Sequence, residues 1–140
     1  SQLLAIAKDV ARIGMLSKDV VTLASIHGCG IITASAIMAE VITVKRFKDK
    51  HHFSMYAGVA PIPHSSGKRN KMHTNPFGNR RLNKAIHCIA LSQIAIRGDP
   101  IGKEYYQKKL KEGKTKLWAL RCLKHQIAKV VYQKLKSVSQ

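Results

Sequence analysis

The stretch LASIHGCGIITASAI, Leu23 to Ile37, decides the fold class of this chain. Its spacing, Leu-x-x-Ile-x-Gly-x-Gly followed by Thr-Ala, is typical of a helix-hairpin-helix, in which two glycines let the backbone turn tightly between helices. The amides that begin the second helix then face outward, where they can bind a phosphate oxygen. We therefore predict DNA backbone contacts from Gly28, Gly30 and Thr33. A tight turn between helices that binds nothing is the alternative.

Apolar residues recur at helical spacing through most of the remaining chain. Ser17, Asn79 and Asp99-Pro100 are placed to begin helices, and Gly14 and Gly113 are placed to end them. No convincing period-two alternation indicates a strand. We predict an all-α fold, a compact bundle of six or seven helices that includes the helix-hairpin-helix, with helices over residues 2–13, 17–26, 33–41, 48–57, 79–97, 99–113 and 115–136.

The net charge narrows the classes of partner that this chain is expected to bind. The chain has 25 Lys+Arg against 7 Asp+Glu, a formal charge of +18, among 140 residues. A domain this basic would repel itself unless its partner is a polyanion, and nucleic acid is the first candidate. An anionic membrane is the weaker alternative. No apolar run is long enough to span a bilayer.

The cysteines and acids argue against a metal site in this chain. Three scattered cysteines suit a reducing cytosol, and the zinc-like spacing of Cys122 and His125 lacks a second local pair. The acidic residues are single and dispersed, so no local motif forms a two-metal carboxylate cluster. We expect no metal ligands here.

The loop sequence YAGVAPIPHSSGKRNK, Tyr56 to Lys71, places two serines beside three cations. One interpretation is a solvated loop. The other is a hydroxyl nucleophile held where a phosphate docks, with cations that neutralise the phosphate. The residues concerned are Ser65, Ser66, Lys68, Arg69 and Lys71, and His64 beside them is an open candidate for an acid–base role.

The stretch GNRRLNKAIHCIA, Gly78 to Ala90, predicts an amphipathic helix with a basic face. Arg80, Lys84 and His87 share that face, opposite a buried apolar one. Cations in the first turn of a helix are repelled by the positive end of the helix dipole. A bound anion would compensate both the cations and the dipole, so the pattern favours an anion site. Further cations continue through the last two helices, and each taken singly is expected to be solvated: Lys108, Lys109, Lys111, Lys114, Lys116, Arg121, Lys124 and Lys129.

Taken in order, these stretches resemble the C-terminal domain of the Piv-type insertion-sequence transposases. That family includes the pilin-gene invertase and bridge-RNA-guided mobile elements. The motifs that carry the resemblance are IHGCGxxTA, FSMYAGVAPIPHSSGK, GNRRLNKAI and GDPxxxxYYxxxxxxGK, followed by a closing apolar helix. It extends from about Leu23 to the C-terminus, although KMHTNPFGN is less basic than the usual sequence there.

The resemblance implies a mechanism and a domain arrangement. Ser66, with Ser65 as the neighbour that could be confused with it, would attack the DNA backbone to give a phosphoserine intermediate. From their charges and positions we further predict that Arg80 assists catalysis and that DNA is bound by Lys68, Arg69, Lys71, Arg81 and Lys84. Residues 23–140 would form the serine and DNA-binding domain, and residues 1–22 a helical lead-in from an absent domain.

The same resemblance implies the partners. An N-terminal RuvC-like domain would supply an acidic cluster that binds Mg²⁺, so the chain, which begins Ser-Gln, is expected to be a piece of a longer protein that is inactive without the remainder. The intact protein would be a homo-oligomer acting on DNA in the bacterial cytoplasm, at the nucleoid. Participation of a guide RNA stays open. The alternative function is a non-catalytic nucleic-acid-binding module.

Overall fold

Most of the secondary structure in the described part of the chain is helical. The computed structural model describes residues 2, 17–62, 73–74 and 78–139. Six α-helices lie within these residues: α1 Lys18–Leu23, α2 Ile31–Val41, α3 Lys50–Tyr56, α4 Arg80–Ile94, α5 Pro100–Lys111 and α6 Lys116–Val138, with a 3-10 helix at Val44–Arg46. Two short strands, β1 Pro61–Ile62 and β2 His73–Thr74, pair antiparallel. The predicted all-α class is confirmed, and the helix predicted over residues 2–13 lies outside the described residues.

Side-chain caps fix most helix starts where the sequence predicts them. The Ser17, Asn79 and Asp99 side chains accept hydrogen bonds from the backbone N–H groups of Val20, Leu82 and Gly102, three residues further along each helix. The helix predicted from residue 48 begins at Lys50, because the Asp49 carboxylate caps it.

Helix α4 ends at Ile94, before the predicted residue 97. Ala95 is already extended, with φ −64° and ψ 165°. The chain then turns back, since the Gly98 N–H donates to the Ala95 carbonyl at 2.8 Å. A Cβ at Gly98 would lie only 2.1 Å from the Gln93 carbonyl oxygen, so this turn admits only glycine without rearrangement.

The core surrounds α6, which contacts α1, α3, α4 and α5. Phe53 of α3 is fully buried and contacts the rings of Phe47 and Tyr132, with centroid distances of 5.2 and 5.8 Å. Val20 and Leu23 of α1 are also buried, so the packed core begins before the predicted domain boundary at residue 22. The assignment of residues 1–22 to a lead-in from another domain stays a prediction.

The turn between α1 and α2 packs against α4. Gly28 has φ +89°, a left-handed conformation that favours glycine. A Cβ added there would lie 2.9 Å from the Ser92 Cβ and 3.0 Å from the Ile89 carbonyl oxygen. The predicted helices on either side of the turn are present, and packing against α4 is sufficient to explain this glycine. The predicted helix-hairpin-helix contact with DNA stays a prediction.

A chain crossing joins the end of α3 to the start of α4. The Asn79 N–H donates to the Tyr56 carbonyl at 2.6 Å, and the Asn79 Nδ2 donates to the Tyr56 hydroxyl at 3.1 Å. A Cβ at Gly78 would lie 2.3 Å from the Gly58 Cα, closer than any side chain permits. The two ends of the intervening segment, residues 59–77, are thereby held together.

Gly78→Ala is therefore expected to destabilise the domain by about 2 kcal/mol, the usual cost of overpacking a close contact. The contact is with backbone, which cannot move aside as a flexible side chain does. Thermal or urea unfolding measures the change.

Gly30→Ser is the matched control, because nothing lies within 4 Å of a Cβ at Gly30. A serine there also offers a cap to α2, so the stability should stay equal or rise by a few tenths of a kcal/mol. Equal stability of Gly78→Ala and the wild type would contradict the close crossing.

Candidate nucleic-acid interface

A basic cavity of about 500 Å³ opens at the start of α4. Its walls come from the Gly58–Gly78 crossing, the exposed face of α4 and one residue of α6. None of its described lining residues is acidic, and they are Gly58, Gly78, Arg80, Asn83, Lys84, His87 and Lys124. A concave surface of this composition is suited to an anion.

The basic face of α4 is the one that the sequence predicts. Arg80, Lys84 and His87 all line the cavity. The opposite face is buried in the core through Leu82, Ala85, Ile86 and Ile89, none more than 8% exposed. The apolar face therefore fixes the rotation of the helix and directs the three basic side chains outward together.

Asn83 connects the crossing to α6 across the cavity wall. Its Nδ2 donates to the Gly58 carbonyl at 3.2 Å. Its Oδ1 accepts from the Lys124 Nζ at 2.7 Å. Both ends of one amide side chain are thus occupied, which holds the Lys124 ammonium at the cavity.

The electrostatics of the cavity favour a bound anion. Partial burial, followed by the charge of Lys124, lowers the pKa of His87 below its ordinary value. Burial, followed by the charge of Arg121, lowers the pKa of Lys124. Both positive forms are therefore disfavoured in the free protein, and an anion in the cavity would favour them again.

Arg81 points away from this cavity. A residue in a helix is rotated by roughly 100° from its predecessor, so Arg81 faces α2 while Arg80 faces the cavity. Its Nη1 lies 3.9 Å from the Glu40 Oε1, a long contact from a largely exposed arginine to a partly buried carboxylate, which contributes little stability.

A second groove, of about 390 Å³, lies between α2 and α4. Thr33 of the predicted hairpin and Arg81 line it, and Lys84 lines both this groove and the basic cavity. The structure therefore brings the start of α2 and the start of α4 onto neighbouring parts of one surface. Gly30 caps α2 without a side-chain hydrogen bond and lies in open space, as an amide site for phosphate requires.

The predicted serine loop has only its flanks in the described structure. Ser65, Ser66, Lys68, Arg69 and Lys71 lie outside the described residues, as does His64. Pro61 pairs with Thr74 and Ile62 with His73, so the undescribed residues 63–72 connect two paired strands. Further out, Gly58 and Gly78 line the basic cavity on either side of the same segment.

Two cavity residues were not singled out from the sequence. Lys124 is one of many cations in the last helices, and Asn83 resembles any polar residue on an exposed helix face. Their hydrogen bond joins positions 41 residues apart. The position of Asn83 between Arg80 and Lys84 predicts that it lies at the surface of a helix. It does not predict which residue its side chain hydrogen-bonds.

The described residues contain neither a cluster of metal ligands nor a membrane-spanning helix. No three His, Cys, Asp or Glu side chains within them come together as a metal would require. Nor does any described helix combine the length and apolar character needed to cross a membrane.

Comparison with known proteins identifies the family. A family described as "Transposase IS116/IS110/IS902 family" matches residues 21–107, more than half of the chain. The insertion element IS110 uncharacterized 43.6 kDa protein of Streptomyces coelicolor is 32% identical over 115 residues, 81% of this chain and 28% of that protein. The insertion element IS116 uncharacterized 44.8 kDa protein of Streptomyces clavuligerus is 30% identical over 113 residues, 80% of this chain and 28% of that protein.

A third relative, the insertion element IS900 uncharacterized 42 kDa protein of Mycobacterium paratuberculosis, is 30% identical over 114 residues, 80% of this chain. The chain spans about 28% of the length of each of these relatives. With the family match covering α2, α3, α4 and most of α5, the chain belongs to the IS116/IS110/IS902 transposase family.

Proposed function

We propose that this chain is the DNA-binding, serine-bearing domain of a transposase that cuts and joins DNA at the bacterial nucleoid. The basic cavity holds a backbone phosphate, and Ser66, or in the alternative Ser65, attacks it. An N-terminal RuvC-like domain of the same protein completes the active site, and the intact protein assembles as a homo-oligomer that holds two duplexes. Whether a guide RNA selects the target is left open.

The placement of Gly58 and Gly78, which flank the serine segment in the sequence, is the observation that supports this proposal. Both glycines line the basic cavity, and Val59 and Ala60, which follow Gly58, are buried in the core. We propose that a nucleophile carried between these two glycines reaches a phosphate held by Arg80 and Lys84. Cations there would neutralise the phosphate and stabilise the charge that develops during attack.

The proposed step conserves atoms and protons. Attack by Ser66 forms an Oγ–phosphorus bond and breaks one phosphorus–oxygen bond of the backbone. The serine proton passes to a base, and a DNA hydroxyl leaves after taking up a proton. A serine hydroxyl is a weak nucleophile, so the base matters. We assign the base to the RuvC-like domain, whose Mg²⁺ would lower the pKa of a coordinated group.

Trapping tests the proposal directly. The longer protein is incubated with a cognate DNA junction, denatured, and examined for a protein–DNA adduct that survives. Mass spectrometry of the digested adduct then identifies the modified serine. Modification of Ser66 is expected, and failure to form any adduct under conditions that support recombination would overturn the serine mechanism.

A non-catalytic DNA-binding module is the second candidate. Gly30 has open surroundings, and no side chain caps the backbone N–H groups at the start of α2. Both features suit phosphate binding without a catalytic step, and so they favour this candidate. Binding alone does not separate the two functions, because both require it. Recombination without an adduct at either serine would favour the module.

Duplex DNA binding by the 140-residue chain should depend strongly on salt. If about six phosphates are neutralised, the logarithm of the association constant should fall against the logarithm of salt concentration with a slope of roughly −5. Fluorescence anisotropy with duplexes of unrelated sequence should give similar slopes, because the contacts are to the backbone. A slope near zero would contradict the electrostatic basis of the interface.

A further inference from the structure

Building on the proposed function, we infer that the basic cavity is a site for one backbone phosphate, which Arg80 and Lys124 bind from two helices and which Asn83 organises as a positioning residue. The ligand class is a phosphodiester. The inference adds Lys124 of α6, which is far along the chain from the serine segment, as a ligand. It also adds the neutral Asn83, which hydrogen-bonds both Lys124 and Gly58.

Lys124 is placed as a ligand and not as a surface charge. Its side chain is partly buried, and its described hydrogen-bond partner is the neutral Asn83 Oδ1 at 2.7 Å. In contrast, Lys109 lies 3.4 Å from the Glu112 carboxylate. The neutral amide accepts a hydrogen bond from the ammonium without cancelling its charge, whereas a carboxylate would neutralise it.

Asn83 is chemically suited to hold Lys124. Its amide donates to the Gly58 carbonyl and accepts from the lysine, and only an amide side chain of this size does both. An aspartate would keep the acceptor, lose the donor and neutralise the site. The Asn83 side chain therefore holds both the Lys124 ammonium and the Gly58 carbonyl, which precedes the serine segment.

The surrounding groups favour phosphate over other anions. Arg80 offers a planar fork that matches two phosphate oxygens, and Lys124 offers a point charge from the facing helix. His87 and Lys84 complete the lining. The pKa values of His87 and Lys124 are lowered first by burial and then by a neighbouring cation, Lys124 for His87 and Arg121 for Lys124, and a bound anion would oppose both effects.

Salt titrations of duplex DNA binding separate the ligand from the positioning residue. Lys124→Gln should weaken binding about tenfold and make the slope shallower by about one, since one phosphate contact is lost. Lys136→Gln is the matched control, because it removes the same charge from the same helix. Lys136 is exposed and does not line the cavity. It should leave the slope and the affinity close to those of the wild type.

Asn83→Ala should weaken binding several-fold with the slope unchanged, because every charge is retained while the ammonium loses its support. Circular dichroism and thermal unfolding verify that each variant is folded. Inorganic phosphate serves as a second probe: it should compete with DNA on the wild type and compete less well on Lys124→Gln. Competition unchanged in that variant would count against the site, and indicate that free phosphate binds elsewhere.

The inference is overturned if Lys124→Gln and Lys136→Gln give the same affinity and slope. It is also overturned if Asn83→Ala is folded and binds like the wild type. Should Asn83→Ala fail to fold, the two lysine variants still decide the matter. Failure of the serine mechanism is recognised separately, as normal DNA binding and a normal Lys124→Gln deficit without any covalent adduct in the longer protein.

Discussion

Ser66→Ala is expected to abolish the covalent protein–DNA adduct and recombination in the longer protein. The alanine has no oxygen to form the bond to phosphorus. Loss of a serine nucleophile in other enzymes lowers the rate on the order of a millionfold, so we expect activity below detection. The adduct is measured on denaturing gels and recombination by product analysis of a two-site substrate.

Ser65→Ala is the control for this experiment, since it changes the same chemical group one residue away. It should retain the adduct and most of the activity. Neither substitution removes a charge, so both variants should bind DNA with the wild-type affinity and salt slope. An adduct that persists in Ser66→Ala and disappears in Ser65→Ala would assign the chemistry to Ser65. Recombination at the wild-type rate in both would contradict the serine mechanism altogether.

The helices were predictable because their signals are local. An Asn or Asp that caps a helix accepts a hydrogen bond from a backbone N–H only three residues further along the chain. The helix starts at Asn79 and Asp99 can therefore be predicted from the local sequence. The amphipathic pattern of α4 likewise fixed which residues are buried. Arg80, Lys84 and His87 could therefore be assigned to one face before the structure was known.

Contacts between distant residues were not predictable in this way. The glycine spacing around Gly28 predicts a tight turn, whereas the structure adds close packing against Ser92 of α4. The crossing of Gly58 and Gly78 and the bond between Asn83 and Lys124 depend on how helices pack in three dimensions. No single sequence carries a signal for such pairs, because each partner taken alone is an ordinary surface or loop residue.

Arg81 illustrates the same limit at short range. The sequence groups it with Arg80 as a DNA ligand, but the helix directs the two guanidinium groups to different surfaces, the basic cavity and the groove against Glu40. Its proposed contact with DNA would therefore belong to the hairpin side of the interface. Contacts from Lys68, Arg69 and Lys71 stay predictions, since these residues lie outside the described structure.

Arg80→Ala is expected to slow the covalent step about a hundredfold at saturating DNA, whereas Lys84→Ala should leave that rate nearly unchanged. Arg80 is the first residue of α4 and lines the cavity beside Gly78, where the serine segment returns. Its fork can stabilise the charge that develops on the attacked phosphate, and loss of such a donor lowers the rate even when the substrate is fully bound.

Lys84 lies one turn further along the helix, where it lines both the cavity and the groove against α2. It is placed to hold the backbone between the two surfaces, so Lys84→Ala should weaken binding modestly and make the salt slope shallower by about one. Saturating DNA restores a rate limited by binding but not one limited by transition-state stabilisation. Single-turnover rates of adduct formation at saturating DNA therefore distinguish the two roles, and equal rates for the two variants would contradict the distinction.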